Sequence, residues 1–346
     1  MAEDRGSPTV HAAARTPHGF SRHRLRRLEY AVVVSLVLFV TAMVAVSLYA
    51  GVGEVARELA KLSPGLVVGL LGLSLVNYAL RAWRWHLYCR HLALRIPPAL
   101  NVLHFVAGFA LTTTPGKVGE GLRLWLIERC HGYRYEQTVP LFLGDRLADM
   151  NAVVLLCLVG LIGFPDRIWA TAIAATGMLL LSLLLAYPRP LIAAVGRAYA
   201  AGGGRGRRFF ARLRAGLRRT AGLFAPSLLG PALVLSIVGW FAEGFAFHWL
   251  LDALGAPLTQ LQALFVFTFA IIVGAVSMLP GGLGSAEATM VGLLLAMSVE
   301  LETAVAATVI IRATTLWFGV VLGFITLPAA LRLARTRRGD GAAVSA

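Results

Sequence analysis

The fold is decided by LPGGLGSAE, residues 279–287, and a similar motif, TPGKVGE, occupies residues 114–120. Each motif interrupts a strongly apolar segment and carries a carboxylate just beyond its glycines. Because proline lacks a backbone donor and glycine frees the backbone, both motifs predict a junction between two short helices. Such irregular backbone is tolerated at membrane depth where it is buried in protein or lines a wet cavity. The predicted backbone breaks are Pro115, Gly116, Gly119, Pro280, Gly281, Gly282 and Gly284.

The composition is that of a membrane protein rather than a soluble domain. Hydrophobic residues make up 58% and charged residues 14% of the 346 residues, which fits helices that pack in lipid. The net charge is +15, but the arginines cluster between apolar segments, as cytoplasmic loops do, which argues against a nucleic-acid partner. No disulfide framework, metal-ligand spacing, phosphate loop or nucleophile elbow occurs, so the sequence predicts no metal, no cofactor and no enzyme.

Long apolar segments predict an all-α polytopic membrane protein. A helix needs about 20 apolar residues to cross the hydrocarbon of a bilayer. Six segments meet this requirement, and two others, 99–128 and 261–299, contain the motifs and are predicted to be re-entrant helical hairpins. The six predicted full spans are 29–51, 65–88, 138–164, 168–187, 228–252 and 303–331.

The basic residues predict an orientation with both termini in the cytoplasm. The loop 188–227 carries nine arginines and no acidic residue, and such loops stay on the cytoplasmic side. This loop falls on the same side as the termini when each hairpin enters and leaves the membrane on one face. The predicted location is therefore a bacterial-type cytoplasmic (inner) membrane. The predicted parts are a cytoplasmic Arg-rich tail (1–28), a first membrane half (29–187), a cytoplasmic basic loop (188–227), a second membrane half (228–331) and a cytoplasmic tail (332–346).

The two membrane halves are predicted to be an inverted repeat. Arg146 follows Pro115 by 31 residues, and Arg312 follows Pro280 by 32 residues. Three predicted spans separate the two motifs, and an odd number of crossings reverses the orientation of the second copy. Many secondary transporters are built this way, with broken helices that meet at the substrate site.

Charged residues at the first motif predict a site for an anionic head group. Lys117, Glu120 and Arg123 lie on one face of a helix that begins near Lys117. The free N–H groups at the start of such a helix suit a phosphate. The alternative is an ion-pair cluster that only braces the hairpin.

A second group of charges lies deep in the apolar segments that follow the motifs. Asp145, Arg146 and Asp149 lie within one helical turn, and Arg312 lies at a similar depth in the other half. Such charges cost about 2.5–3.5 kcal/mol each on insertion scales, so they should face a cavity or a partner. We expect Arg146 and Arg312 each to pair with a carboxylate near a hairpin tip, and Glu287 is one such carboxylate. These pairs serve either the substrate or the structure alone.

Two further positions carry charge in apolar surroundings. Glu243 lies deep in the span 228–252 without an evident partner in the sequence, which makes it a candidate for proton coupling. Arg81, Arg84 and Trp85 end the second span. They are either an anchor at the membrane interface or a lip, that is, an entrance to the site that binds lipid phosphates. The second interpretation adds Arg81 and Arg84 to the predicted substrate-binding residues.

Taken together, these motifs resemble the lysylphosphatidylglycerol synthase transmembrane (flippase-like) family. The resemblance rests on PGKVGEGLR at 115–123, DRLAD at 145–149, PGGLG at 280–284 with Glu287, and RAWRW at 81–85, and it covers roughly residues 30–332. It implies an inverted-repeat membrane fold that moves lipids between leaflets. In the best-known members this region precedes a soluble aminoacyl transferase domain that this sequence lacks, so the resemblance does not extend to lipid aminoacylation. Stand-alone relatives are linked to glycolipid, polyprenyl-lipid or hopanoid pathways.

The sequence therefore predicts a translocase that moves a polar-headed lipid between leaflets. The lipid would be a phospholipid, a glycolipid or a polyprenyl-linked lipid, and its head group would cross through a charged cleft between the hairpins. One alternative is a membrane-embedded transferase with a lipid-linked donor, in which Glu120 or Asp149 acts as general base. Another is a non-transporting partner of a lipid-synthesis enzyme.

Overall fold

The structure of the protein, a computed structural model, describes residues 62–113, 121–164, 226–256, 258–277 and 279–343, with a few isolated residues between 173 and 197. The predicted N-terminal tail, the first span (29–51) and nearly all of the basic loop (188–227) and of the span 168–187 lie outside these ranges. So does the whole first motif (114–120), which includes Pro115, Gly116, Lys117, Gly119 and Glu120.

The first half contains four described helices. The first of them is capped by Ser63, whose hydroxyl oxygen accepts a hydrogen bond from the N–H of Leu66 at 3.1 Å, which satisfies one of the free donors at the helix start. The four helices are α1 (Pro64–His91), α2 (Pro98–Ala107, continued by a 3₁₀ turn at Gly108–Leu111), α3 (Gly121–His131) and α4 (Tyr135–Leu161).

The second half contains five described helices. Thr259 and Gln262 cap the second of them reciprocally, each side chain accepting from the backbone N–H of the other. A π turn, Ala313–Trp317, joins the last two helices into one long rod. The five helices are α5 (Pro226–Ala253), α6 (Gln260–Val276), α7 (Ser285–Ala296), α8 (Leu301–Arg312) and α9 (Phe318–Ala343).

The predicted helix break at the second motif is present. Between α6 and α7 lies only a short 3₁₀ turn at Pro280–Gly282. Gly281, Gly282 and Gly284 have φ angles of 63°, 68° and 86°, a left-handed region that glycine enters without the steric cost of a Cβ. The glycines thus allow two short helices to meet at a sharp joint.

Three described helices are long and apolar enough to cross a membrane. They are Pro64–His91, Leu228–Ala253 and Leu301–Arg335, and they coincide with the predicted second, fifth and sixth spans. The first arm of each predicted hairpin is a shorter apolar helix, Pro98–Leu111 or Gln260–Val276. The described chain is therefore helical and suited to a membrane, while the total of six spans and two re-entrant hairpins stays a prediction.

The helix α4 covers the predicted span 138–164 and differs from the other long helices in its charge. Asp145, Arg146 and Asp149 lie in its middle, where a helix that faced lipid on all sides would be apolar. The two aspartates are buried, so the charges face protein rather than hydrocarbon.

Helices α1 and α5 form an antiparallel pair that runs through the described structure. As residue numbers rise along α1, the numbers of their neighbours fall along α5. The contacts that define the pair join Arg84 to Ser236, Asn77 to Gly239 and Gly69 to Trp249.

Each long helix that follows a motif packs against the helix that precedes the other motif. Helix α4 lies so close to α6 that a Cβ on Gly160 would be 2.7 Å from the backbone nitrogen of Phe265. Helix α9 packs on α2 and its 3₁₀ turn, where Gly323 contacts the backbone of Ala110. The two halves are thus interlocked, and the residues around both motifs come together.

Candidate functional site

A buried network of arginines and aspartates joins α1 to α4. Asp149 lies 2.8 Å from Nη2 of Arg81 through one carboxylate oxygen and 2.8 Å from Nη1 of Arg84 through the other. Arg146 lies 2.9 Å from Asp145 and 3.1 Å from Asp149. Arg84 also donates to the carboxylate of Asp145. Because these carboxylates are buried, they depend on such partners to remain charged.

The structure corrects the interpretation of the arginines at the end of the second span. Arg84 is completely buried and donates to Asp145 and Ser236, and Trp85 beside it is also buried. Arg84 and Trp85 are therefore neither an interfacial anchor nor a lip for lipid phosphates, because Asp145 and Ser236 hold the guanidinium of Arg84 inside the protein. Arg81 lines the central cavity described below, whereas Arg84 does not.

Arg123 is held by aromatic rings as well as by charge. Its guanidinium carbon lies 4.0 Å from the ring centroid of Phe105 and 5.0 Å from that of Phe109, within the range of a cation–π interaction. A guanidinium nitrogen lies 3.7 Å from the carboxylate of Asp145. Arg123, the first charged residue after the first motif, thus joins the network of α1 and α4.

Helix α5 contributes two residues that the sequence analysis missed. Ser236 accepts from Arg84, and the indole N–H of Trp240 donates to Asp149 at 3.1 Å. The Trp240 ring also lies 5.5 Å from the guanidinium carbon of Arg81. For Trp240, the sequence held one signal of a role in the site. It lies three residues before Glu243 and therefore shares the helical face of that carboxyl group.

The second motif is fastened by the expected ion pair between Arg312 and Glu287. Nε of Arg312 lies 2.6 Å from one carboxylate oxygen, and the other oxygen accepts from the N–H of Gly284 at 2.7 Å. Arg312 also donates to the carbonyl oxygen of Gly281 at 2.9 Å. The pair therefore ties α8 to both sides of the glycine joint and satisfies backbone groups that the break leaves free.

The second motif lies next to the described segment that precedes the first motif. A Cβ on Gly281 would lie 3.3 Å from Cγ2 of Thr113, the last described residue before the first motif. The glycine joint of the second motif therefore lies beside the end of the first arm of the first predicted hairpin.

A cavity of about 430 Å³ lies where these groups meet. Its wall combines residues from both halves of the chain, with apolar and aromatic side chains between the charges, as Tyr78, Phe142 and Trp240 show. Asp145 and Glu287 stand behind the wall and contact the arginines that form it. The charged residues that line the cavity are Arg81, Arg123, Arg146, Asp149, Glu243 and Arg312.

Glu243 differs from the other carboxylates of the cavity. It is only 4% exposed, yet it makes no hydrogen bond or ion pair with any residue in the part of the chain that the structure describes. By contrast, Asp149 contacts three arginines and a tryptophan. The sequence-based view of Glu243 as a carboxyl group without a close partner thus agrees with its surroundings.

The cavity wall also includes the π turn that follows Arg312. Thr315 and Leu316 of this turn line the cavity, and the hydroxyl of Tyr78 donates to the carbonyl oxygen of Thr315. A single π turn inside a longer helix often occurs at a functional site. Here it widens the helix at the level of the cavity.

The comparison with known proteins identifies the family. The lysylphosphatidylglycerol synthase TM region matches residues 30–323. The chain belongs to this family. A UPF0104 membrane protein of Methanothermobacter thermautotrophicus is 23% identical over 321 residues, which are 85% of this chain and 94% of that protein. A UPF0104 membrane protein of Pyrococcus horikoshii is 33% identical over 97 residues, which are 28% of this chain and 29% of that protein.

Membership in the lysylphosphatidylglycerol synthase TM-region family confirms the resemblance found in the motifs. The matched range contains every described charged residue that lines the cavity. Together with the three long apolar helices, it supports a membrane location for this protein.

Proposed function

We propose that this protein is a lipid translocase that moves a polar-headed lipid between the leaflets of a membrane. The observation that carries the proposal is a charged cavity of about 430 Å³ beside a broken helix, enclosed by helices that are otherwise apolar. Such a cavity offers a polar head group a path that hydrocarbon does not. The lipid would be a phospholipid, a glycolipid or a polyprenyl-linked lipid, and its acyl chains would stay in the bilayer.

An inverted repeat with two re-entrant hairpins is part of this proposal. Helices α1 and α5 hold corresponding places before the two motifs and form an antiparallel pair. Helix α4 of the first half packs on α6 of the second half, and α9 of the second half packs on α2 of the first. A two-fold axis in the membrane plane would relate these two contacts to each other. The proximity of Gly281 to Thr113 supports hairpins that meet tip to tip.

The proposal gives the arginines and carboxylates different roles. Arg123, Arg146 and Lys117 would bind a phosphate, and Arg146 has the most exposed side chain of the arginines in the network, at 23%. A guanidinium matches the geometry of phosphate oxygens and stays charged when buried. The carboxylates that would balance these charges or bind a cationic group are Glu120, Asp145, Asp149 and Glu287.

Arg146→Ala is expected to lower the rate of lipid exchange by at least about tenfold. A hydrogen bond to a charged group contributes about 1.5–3 kcal/mol, and about 1.4 kcal/mol corresponds to a factor of ten. Purified protein would be reconstituted into vesicles with phosphatidylglycerol labelled on an acyl chain, and a membrane-impermeant quencher would report the label that reaches the outer leaflet.

Arg134→Ala is the matched control for that substitution. Arg134 precedes the same helix, and its side chain is 78% exposed in a surface pair with Glu136, so exchange should stay at the wild-type rate. Equal exchange by wild type and Arg146→Ala would remove Arg146 from the proposed path. Covalent modification of the lipid without exchange would favour a membrane transferase, and co-purification of a lipid-synthesis enzyme without either would favour the partner role.

The proposed topology predicts that residues 205 and 300 face opposite sides of the membrane. Arg205→Cys and Glu300→Cys, introduced singly, should therefore react with a membrane-impermeant thiol reagent from opposite sides of intact cells or inverted vesicles. The three native cysteines are buried, and unmodified protein gives their background labelling. Labelling of both positions from one side would exclude the two re-entrant hairpins.

A further inference from the structure

Glu243 occupies a central place in the cavity wall. It lies on α5, one turn beyond Trp240, and is almost completely buried against the space that the arginines share. An ionisable group inside a membrane protein usually has a partner or carries protons. Among the described residues, Glu243 has neither a hydrogen bond nor an ion pair.

Charged and titratable groups face Glu243 from several of the elements around it. Arg81, Asp149 and Arg312 are close enough to interact with it electrostatically. Helix α6 adds no titratable residue between 260 and 276. The groups that share the cavity wall with Glu243 are Tyr78 and Arg81 on α1, Arg123 on α3, Arg146 and Asp149 on α4, and Arg312 on α8.

The two cations that interact with Glu243 are already engaged. Arg81 lies 2.8 Å from Asp149, and Arg312 lies 2.6 Å from Glu287. An ionised Glu243 would have to compete with these carboxylates, whereas a protonated Glu243 leaves both pairs as they are. Protonation of this one group can therefore change the charge of the cavity without breaking its ion pairs.

The charge of the site depends on Glu243. Among the described residues of the site, five arginines contact three carboxylates, and Glu243 is the fourth carboxylate. The site carries an excess of positive charge in either state, and the excess is larger when Glu243 is neutral.

We propose that Glu243 binds the proton that is transported together with one anionic lipid head group. This inference rests on the proposed lipid transport. A proton from water binds the carboxylate of Glu243, the larger positive charge attracts the head group, and both leave on the other side. By linkage, the head group favours proton uptake as much as the proton favours head-group binding.

Co-transport with a proton also removes an electrical cost. A phosphodiester head group carries one negative charge, and moving one charge through a membrane potential changes its energy by about 2.3 kcal/mol per 100 mV. One proton for each head group makes the step electroneutral. Transport should therefore respond to a pH gradient but not to a membrane potential.

The sign of the pH effect follows from the charge of Glu243. Lowering the pH protonates Glu243 and should strengthen the binding of phosphatidylglycerol by up to about tenfold per pH unit, the limit for one linked proton. Across a pH gradient, the lipid should move faster toward the alkaline side, because the proton runs in that direction.

The experiment measures initial exchange rates of acyl-labelled phosphatidylglycerol in vesicles with an imposed pH gradient. Wild type should be faster toward the alkaline side, Glu243→Asp should keep this bias, and Glu243→Gln should exchange lipid at the same rate in both directions. Glu136→Gln, at an exposed position, is the matched control and should keep the bias. A potential set with potassium and valinomycin should leave the rates of wild type, Glu243→Asp and Glu136→Gln unchanged. Glu243→Gln moves the anionic head group without a proton, so its rates should respond to the potential.

Several results would overturn the inference, and they differ from failure of lipid transport itself. Exchange by wild type without any bias, or the same bias in Glu243→Gln, contradicts proton coupling while lipid transport stands. No exchange by wild type under any gradient contradicts the translocase proposal as well. If Glu243→Gln fails to fold, the test is the change in proton binding when short-chain phosphatidylglycerol is added to the wild-type protein in detergent. Proton uptake is expected. Proton release, or no change in bound protons, would contradict the proposal.

Discussion

Asp149→Asn is expected to lower the melting temperature of the purified protein sharply. The substitution keeps the shape of the side chain but removes the charge that Arg81, Arg84 and Arg146 contact. Removing one partner of a buried ion pair typically costs about 3–5 kcal/mol, because the remaining charges stay desolvated without compensation. The unfolding of detergent-solubilised protein, followed by tryptophan fluorescence, gives the measurement.

Glu136→Gln provides the matched control at the start of the same helix. It makes the same change from carboxylate to amide, but Glu136 and its partner Arg134 are 62% and 78% exposed. Such surface pairs contribute about 0–1 kcal/mol, so the melting temperature should hardly change. Similar shifts for both variants would show that the charge of Asp149 is not what holds α1 against α4.

The helices of this protein could be predicted because their signal is local. The segments 65–88 and 228–252 are long, apolar and bounded by proline or charge, and the helices Pro64–His91 and Pro226–Ala253 contain them. The joint at the second motif was equally visible, because only glycine suits three left-handed positions so close together. Local chemistry alone determines such features.

The partners of the arginines could be predicted only in part. Arg312 and Glu287 were expected to pair because Glu287 ends the second motif and Arg312 follows this motif at a spacing that the first half repeats. Arg84, however, has the same local pattern as an interfacial anchor, with arginine and tryptophan at the end of an apolar segment. Its partner Asp145 is 61 residues away, and no local feature indicates a contact at that distance.

The contribution of α5 to the site was the least visible from the sequence. Serine and tryptophan are common in apolar helices, so Ser236 and Trp240 gave no sign that they contact Arg84 and Asp149. Glu243 was recognisable, because a lone carboxyl group in an apolar span is costly. What its charge does depends on the antiparallel pairing of α1 and α5, which is a property of the fold.

Glu287→Gln is expected to have the second large effect, on both stability and lipid exchange. Arg312 would lose its carboxylate while remaining buried, at a cost of about 3–5 kcal/mol. The amide oxygen of the replacement can still accept from Gly284, so the helix start keeps its cap. Arg312→Met alone should cost a similar amount, since it leaves Glu287 without its cation and Gly281 without a donor.

The double variant Glu287→Gln with Arg312→Met distinguishes a structural role of this ion pair from a role of Arg312 in lipid transport. Neutral replacement of a whole buried ion pair is often tolerated, so the melting temperature should recover most of the loss of either single variant, with a coupling energy of about 0.5–3 kcal/mol. Lipid exchange should stay low, because Arg312 lines the cavity and its charge would still be missing. If exchange recovered together with stability, the pair would only hold the glycine joint in shape. The charge that attracts the head group would then have to come from Lys117, Arg123 and Arg146, without Arg312.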